Sequence, residues 1–434
     1  MARLIGIHHR AKKEKGQDEG SKATRGTSVV IKNLETGKVA QVTLRSETDE
    51  LDFLLGRFPT SWREVSEAED VSSFFPRHIQ RRKKGEGFVT RIPESYEGFQ
   101  VADTVVMQMG GSGDRFAYAL SRRGEKIGAK LFRIPPNVFA TWREGKGTEK
   151  DHILLIELFE AFPEIFYEVT PRERKYIRVA AAFHSYLFAQ RDRISCQLRI
   201  YQQHSGEIFL SEEGHYPEGK LEEEYDAVLI DDPGYAAFVA REKRAEAKMR
   251  AAVRDTEVWG AIFSQIPGMG ERIAAGIIGP VGNVLRFVEK PNLAGVTDPE
   301  ETRKRRRIAK RKSMNNFVKF CGVHVTSDGE LPRRKRGAGK DNQYGDNPRQ
   351  SLVLLSKEFV YQAGSYWGQR LRATKARVRE RHPEVEVIDG RKRYTDGDTA
   401  GMAGWRVLTR FAEKLFRHYA TFEKARIKEA QAVK

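Results

Sequence analysis

Apolar and polar positions follow two different rhythms along this chain, and the rhythm changes near residue 170. Before that point, short apolar runs are bounded by glycine, proline and polar clusters. Leu4-Ile5-Gly6-Ile7 predicts a buried strand, Ser28-Val29-Val30-Ile31 opens a second, and Lys38–Leu44 alternates as a third, with Thr36-Gly37 as a hairpin turn. Helices are predicted over Glu47–Arg57, Asp114–Arg123 and Asp151–Ala161. Further strands are predicted over Thr104–Gln108 and Lys126–Arg133, the latter followed by the Pro135-Pro136 break. Strands alternating with helices predict an α/β domain with a mostly parallel sheet over residues 1–170. Arg10–Arg25 is polar and rich in Gly and Lys, as an insertion would be.

From Arg172 onward the period is helical. Tyr176–Gln203 and Tyr235–Phe263 are long amphipathic stretches with charged outer faces, which predict an antiparallel coiled coil or bundle arm over residues 171–263. The acidic segment Glu212–Asp232 reads as a loop between them. Residues 264–434 predict a mainly α-helical domain, with an apolar segment at Asn315–Val325, helices over Gln350–Ala363 and Ala403–Ala430, and a polar linker over Arg381–Thr399. At its start, Ile266-Pro267-Gly268-Met269-Gly270 leads into the apolar run Ile273–Gly279. Pro267 and Gly268 break the preceding helix, and Gly270 is expected where a side chain would crowd the turn. The next helix would then open with unclaimed backbone N–H groups, which suit a phosphate. That is the pattern of a helix-hairpin-helix, which grips a nucleic-acid backbone without reading its sequence. An ordinary helix–turn–helix corner fits the same residues.

Charge sharpens the picture. Lys and Arg number 77 against 60 Asp and Glu, a net charge of +17 over 434 residues. The excess gathers in Arg303-Lys304-Arg305-Arg306-Arg307, Lys310-Arg311-Lys312, Arg333-Arg334-Lys335-Arg336 and Arg391-Lys392-Arg393. Clustered cations favour a polyanion, with affinity supplied by counterion release. No apolar run approaches the length of a membrane span, and two cysteines, Cys196 and Cys321, suggest neither a disulfide framework nor a zinc site alone. A soluble chain in a reducing cytoplasm, associated with the nucleoid and with no membrane partner, is the expectation.

Laid in order, these segments resemble the DEDD-type insertion-sequence transposases, the Piv-invertase-like, RNA-guided group. The most specific likeness is Ile266–Phe287, which looks like the family's Ile-Pro-Gly-x-Gly helix. Phe317–Gly322 resembles the apolar segment before the family's Ser-Gly motif, and Thr326-Ser327-Asp328-Gly329 stands where that motif belongs. Arg333–Gly337 and Arg349–Leu355 resemble the basic stretch and the helix after it. The resemblance implies a RuvC/RNase H-like domain over 1–170, a coiled-coil arm over 171–263, and a C-terminal transposase domain over 264–434. It also implies cutting and joining of DNA strands by phosphoryl transfer, a structured guide RNA, and a dimer or tetramer assembled through Tyr235–Phe263.

The acidic positions of that family depart here. The first strand ends in His8 where the family has aspartate, and the strand at Val105-Val106-Met107 ends in Gln108 where it has glutamate. The last two acids fall on Glu149 and His152, or on Asp151 if the match shifts by one residue. Two Mg²⁺ ions need several anionic oxygens close together. His8, Gln108, Glu149 and His152 would suit Mn²⁺ or another transition metal better. Ser327 is the candidate nucleophile, with Glu149 and Asp151 as acid–base partners and Arg333, Arg334, Lys335 and Arg336 to hold a phosphate. A plain β-turn explains Thr326–Gly329 equally well. Gly268, Gly270, Arg272, Arg305, Arg306 and Arg307 complete the nucleic-acid contacts expected. A nucleic-acid-binding protein that keeps the scaffold without its metal chemistry is the alternative to a transposase. Gly110-Gly111-Ser112-Gly113 is a weak phosphate-loop candidate, and Tyr361, Tyr366 and Trp367 are candidates for stacking on bases or for the core.

Overall fold

A computed structural model describes residues 2–9, 26–65, 69–84, 87–143, 150–212, 220–325, 332, 344–388 and 391–432. The chain is mixed α/β and divides into two compact units, Met1–Arg174 and Lys175–Lys434. Among the described residues, no helix is long and apolar enough to cross a membrane.

The first unit runs β1 (Arg3–His8), β2 (Thr27–Asn33), β3 (Val39–Leu44), α1 (Glu47–Leu54), β4 (Phe58–Glu64), β5 (Gln80–Lys84), β6 (Gly87–Glu97) and β7 (Thr104–Gln108). It continues α2 (Asp114–Ile127), β8 (Lys130–Ile134), α3 (Pro136–Arg143), α4 (Asp151–Ala161) and β9 (Tyr167–Glu168). Six strands form one sheet in the order β3-β2-β1-β7-β8-β9. β1 runs parallel to β7, and β7 to β8; the other three pairings are antiparallel. The sheet is therefore mixed, which corrects the expectation of a mostly parallel one. The cause is local: β1 to β3 form a meander, and the turn after β2 is closed by the Asn33 side chain, which accepts from the N–H groups of Glu35 and Thr36 at 2.9 Å. Gly37 there has φ +69°, a conformation glycine adopts without strain.

A separate sheet, β4-β6-β5, is inserted between α1 and β7. Sequence pattern hides it, because Pro93 interrupts β6 and β5 is a run of cations, Arg81 to Lys84, with no apolar alternation. The strand expected at Lys126–Arg133 is in fact the end of α2, a Gly128 turn at φ +70°, and β8.

The centre of the main sheet is apolar on both faces: Leu4, Ile5, Ile7, Val105, Val106 and Met107 are all buried. Helix α4 is seated directly on β1. A Cβ on Gly6 would stand 2.1 Å from the carbonyl oxygen of His152, so only glycine permits this approach. That contact fixes where the first turn of α4 lies.

Helix α5 (Pro171–Phe209) carries the chain into the second unit, which continues α6 (Leu221–Asp231), α7 (Pro233–Arg254), α8 (Glu257–Ala261), α9 (Glu271–Val281), α10 (Pro299–Phe320), α11 (Asp346–Tyr361) and α12 (Tyr366–Arg381). A hairpin, β10 (Glu386–Ile388) and β11 (Arg391–Arg393), and α13 (Asp396–Ala432) complete it. Two expectations are corrected. Most of the acidic segment read as a loop is helix α6, whose Glu222, Glu223 and Glu224 sit in the first turn where the helix dipole favours them. The polar linker contains the β10–β11 hairpin. Asp232 explains the start of α7: its side chain accepts from the Tyr235 N–H, and Pro233 occupies the first helical position.

Helices α5 and α7 run antiparallel. Their ion pairs link Arg178 to Asp255, Asp192 to Arg241 and Arg193 to Glu242, so rising numbers on one helix meet falling numbers on the other. The unit's core gathers around α9, whose Ala274, Ala275, Ile277, Ile278 and Val281 are fully buried. Glycines let neighbours close on it: a Cβ on Gly279 would meet the Cα of Ala180 at 2.8 Å.

Candidate functional site

The first candidate site forms where β1, β7 and α4 converge. Parallel pairing sets Ile7 opposite Met107, so the next residues, His8 and Gln108, end neighbouring strands on the same edge of the sheet. The seat of α4 on Gly6 then brings Asp151 and His152 to that edge. His8 donates from Nδ1 to Asp151 Oδ2 at 3.0 Å. Arg143, the last residue of α3, donates from Nε to Asp151 Oδ1 at 3.0 Å and from Nη2 to Oδ2. Burial by itself would push the Asp151 carboxyl up. The hydrogen bonds from His8 and Arg143 outweigh it, and the group lies below the usual carboxylate range. His152 is buried with Nδ1 unpartnered; desolvation, then the charge of His8, holds it below the usual imidazole range.

This donor set does not fit a pair of Mg²⁺ ions. Gln108 is neutral, His8 offers nitrogen and is already bonded to Asp151, and the only carboxylate described here is neutralised by a guanidinium. Among the described residues, no three His, Cys, Asp or Glu side chains gather so as to ligate a metal. Glu149 lies outside the described residues. Of the expected ligands, the structure thus brings His8, Gln108 and His152 to one edge, with Asp151 held by Arg143. Arg143 carries no motif that would single it out in the sequence.

Beside this cluster, His9 points to the other side of β1. Its Nδ1 is 2.9 Å from Ser112 Oγ and its Nε2 is 3.2 Å from Glu50 Oε1, which also accepts from Thr27. The glycine loop at 110–113 closes on its own acid: Gly110 N–H donates to Asp114 Oδ1 at 3.1 Å, and Asp114 pairs with Arg133. The Gly110 N–H is thus already engaged by a carboxylate, whose negative charge at the loop disfavours a phosphate there.

In the second unit, the Ile266–Gly270 turn requires glycine at Gly268 and not at Gly270. Gly268 has φ +82° and packs against Glu358, whose Cβ would lie 2.7 Å from an added Cβ. Gly270 is exposed, extended at φ −76°, with open space around it, which corrects the expectation that it relieves crowding. The start of α9 has no side-chain cap, but Glu271 stands in its first turn. Burial would raise that carboxyl; a bond from its own backbone N–H and the Arg254 guanidinium at 2.7 Å hold it lower. An incoming phosphate would meet this negative charge, so the turn is a poorer anion site than its sequence suggests. Arg272 is exposed, its guanidinium 5.4 Å over the Tyr186 ring.

The stronger cationic feature is α10. Asp298 caps it, accepting from the N–H groups of Glu300 and Glu301 at 3.0 and 3.1 Å, and Pro299 opens it. Ala309, Ser313 and Phe317 form its buried edge. Arg303, Arg306, Arg307, Lys310, Arg311 and Lys312 are exposed and have no ion pair among the described residues. Arg305 departs from expectation, being tied to Glu301 at 3.0 Å and to the Asn292 carbonyl at 3.0 Å. Tyr361 and Tyr366 are exposed, while Trp367 belongs to the core. Ser327 and Arg333, Arg334, Lys335 and Arg336 lie outside the described residues. Compared with known proteins, the chain matches no family model and no curated sequence.

Proposed function

We propose that this chain is a nucleic-acid-binding protein built on the scaffold of the DEDD-type transposases, with an RNase H-like first unit that has exchanged metal ligation for an internal ion cluster. The observation that carries the reading is the meeting of β1, β7 and α4. Their ends bring together His8, Gln108 and His152, three positions that resemble those of the family's acids, with Asp151 as the alternative to His152 and Glu149 outside the described residues; Arg143 supplies beside Asp151 the positive charge an ion would otherwise provide. Binding falls to the second unit, where the exposed cations of α10 that have no ion pair among the described residues offer a sequence-independent grip on phosphates.

Salt-dependent binding tests this. The full chain should bind duplex DNA with affinity that falls steeply and linearly on a log–log plot against salt, and it should bind in chelator, with Mg²⁺ or Mn²⁺ weakening the complex only as competing counterions do. A second reading, strand transfer by Ser327, is favoured by the Thr326–Gly329 motif lying just before Arg333–Arg336. It predicts a covalent protein–DNA adduct that disappears in Ser327→Ala. No adduct with any metal leaves the binding protein; an adduct that requires a divalent ion overturns the reading of the first unit.

A further inference from the structure

The inserted sheet borders a cleft of about 470 Å³, lined among others by Arg45, Ser46, Trp62, Arg77, His78 and Gln80. We infer that this cleft takes an unpaired nucleotide of a single-stranded nucleic acid, its base against Trp62 and its phosphate between Arg45 and Arg77. This assigns a surface of the first unit that the proposed grip of α10 does not involve.

Of the two cations at the cleft, one is tied to a carboxylate and, among the described residues, the other is not. Arg77 is bound to Asp52 through Nε and Nη2, and among the described residues Nη1 makes no hydrogen bond. Arg45 is exposed and has no ion pair among the described residues. Two acids, Asp49 and Asp52, also line the cleft, and both are hydrogen-bonded within the protein. Asp52 serves Arg57, Arg77 and His78 together, and Asp49 accepts from the backbone N–H groups of Arg45 and Ser46 in the capping box of α1. His78 is 3% exposed, and its Nδ1 has no partner although Nε2 is bonded to Asp52 at 2.8 Å. A polar atom left unpaired at such depth is costly unless something supplies its bond.

Register extends the site beyond one nucleotide. Arg91 of β6 pairs with both Glu64 and Gln80, so Trp62 and Glu64 of β4 share a face with Gln80, Arg82 and Lys84 of β5. Lys84 is tied to Glu64 at 2.9 Å, whereas Arg82 is exposed with no ion pair among the described residues. An aromatic ring and cations on one face of a sheet can hold a single strand without reading its sequence: bases stack and phosphates track the charge. A duplex keeps its bases stacked inside and cannot present one to the cleft.

Fluorescence anisotropy of the full chain with a labelled oligouridylate and with a labelled duplex tests this. Trp62→Ala should weaken binding of the single strand about tenfold while Trp62→Phe keeps most of it, and neither should alter duplex binding. Arg45→Ala, at a side chain with nothing to support, should weaken the single strand and flatten its salt dependence; it serves if Trp62→Ala fails to fold. Arg306→Ala with Arg307→Ala should weaken the duplex and leave the Trp62 effect intact, which separates this site from α10. Unchanged single-strand affinity in folded Trp62→Ala and in Arg45→Ala overturns the inference. So does an equal loss for duplex and single strand, or saturation by free uridine monophosphate with no gain from the oligomer.

Discussion

Replacing Arg143 with alanine removes the partner that most directly neutralises Asp151. The Asp151 side chain is 1% exposed and that of Arg143 27%, so the carboxylate stays buried when the guanidinium goes. Stripping one partner from a buried ion pair costs about 3–5 kcal/mol. Here His8 remains bonded and water reaches the partly open Arg143 side, so a loss of about 2–3 kcal/mol is expected. Its pH dependence has a definite sign. A carboxyl whose folded pKa lies below its unfolded value stabilises the fold above about pH 4 and ceases to do so as pH falls through the folded value. Without Arg143, burial is opposed by one hydrogen bond fewer, and the depression shrinks or reverses. Urea denaturation should therefore show the largest gap between Arg143→Ala and the parent at neutral pH, closing below about pH 4. Asp151→Asn should recover part of the loss in the Arg143→Ala background, because an amide is cheaper to bury than an unpaired charge. An Arg143→Ala protein as stable as the parent, or a gap indifferent to pH, would refute the argument. A parent protein whose melting point rises in millimolar Mn²⁺ would do the same for the exchange of metal for guanidinium.

Other outcomes follow from the same geometry. Gly279→Ala must push α9 away from the Ala180 backbone, and thermal melting should show a loss of at least about 2 kcal/mol. Gly6→Ala drives a methyl into the His152 carbonyl and should impair folding of the first unit, read as a loss of soluble, protease-resistant protein. Asp52, which burial would raise but hydrogen bonds from Arg77, His78 and Arg57 bring down to about 2, should stabilise the fold by about 2 kcal/mol above pH 4 and lose that contribution between about pH 4 and pH 2; in Asp52→Asn the acid limb of the stability curve should be flatter over that range. Each of Arg306→Ala and Arg307→Ala should lower the slope of log K against log salt by about one for duplex DNA, if each meets a phosphate.

Strands β1 and β7 and helix α4 are legible in the sequence because each is an apolar run with sharp polar boundaries. Thr104–Gln108 and Asp151–Ala161 coincide with the observed elements. What escaped pattern depends on partners. Helix α6 looks like a loop because its acids are counted as charge, and only their position at a helix start makes them favourable. The β4-β6-β5 sheet has little apolar alternation because its strands are polar and largely exposed, so period carries little signal. Likewise, Gly268 and Gly270 are indistinguishable by composition, and only the backbone shows that one is obligatory. Arg143 is the plainest case: its role exists only because α3 ends where α4 begins to face β1.

The division of α10 into two edges sets a ruler. Arg303, Arg307 and Arg311 recur every four residues, opposite the edge that Ala309 and Ser313 anchor. Four residues of α-helix advance about 6 Å. Successive phosphates of one duplex strand advance about 3.4 Å along the duplex axis, so a duplex lying parallel to α10 would present about two phosphates of each strand per guanidinium. The row of three guanidiniums thus spans about 12 Å, a short stretch of positive charge on a helix that runs well beyond it at both ends.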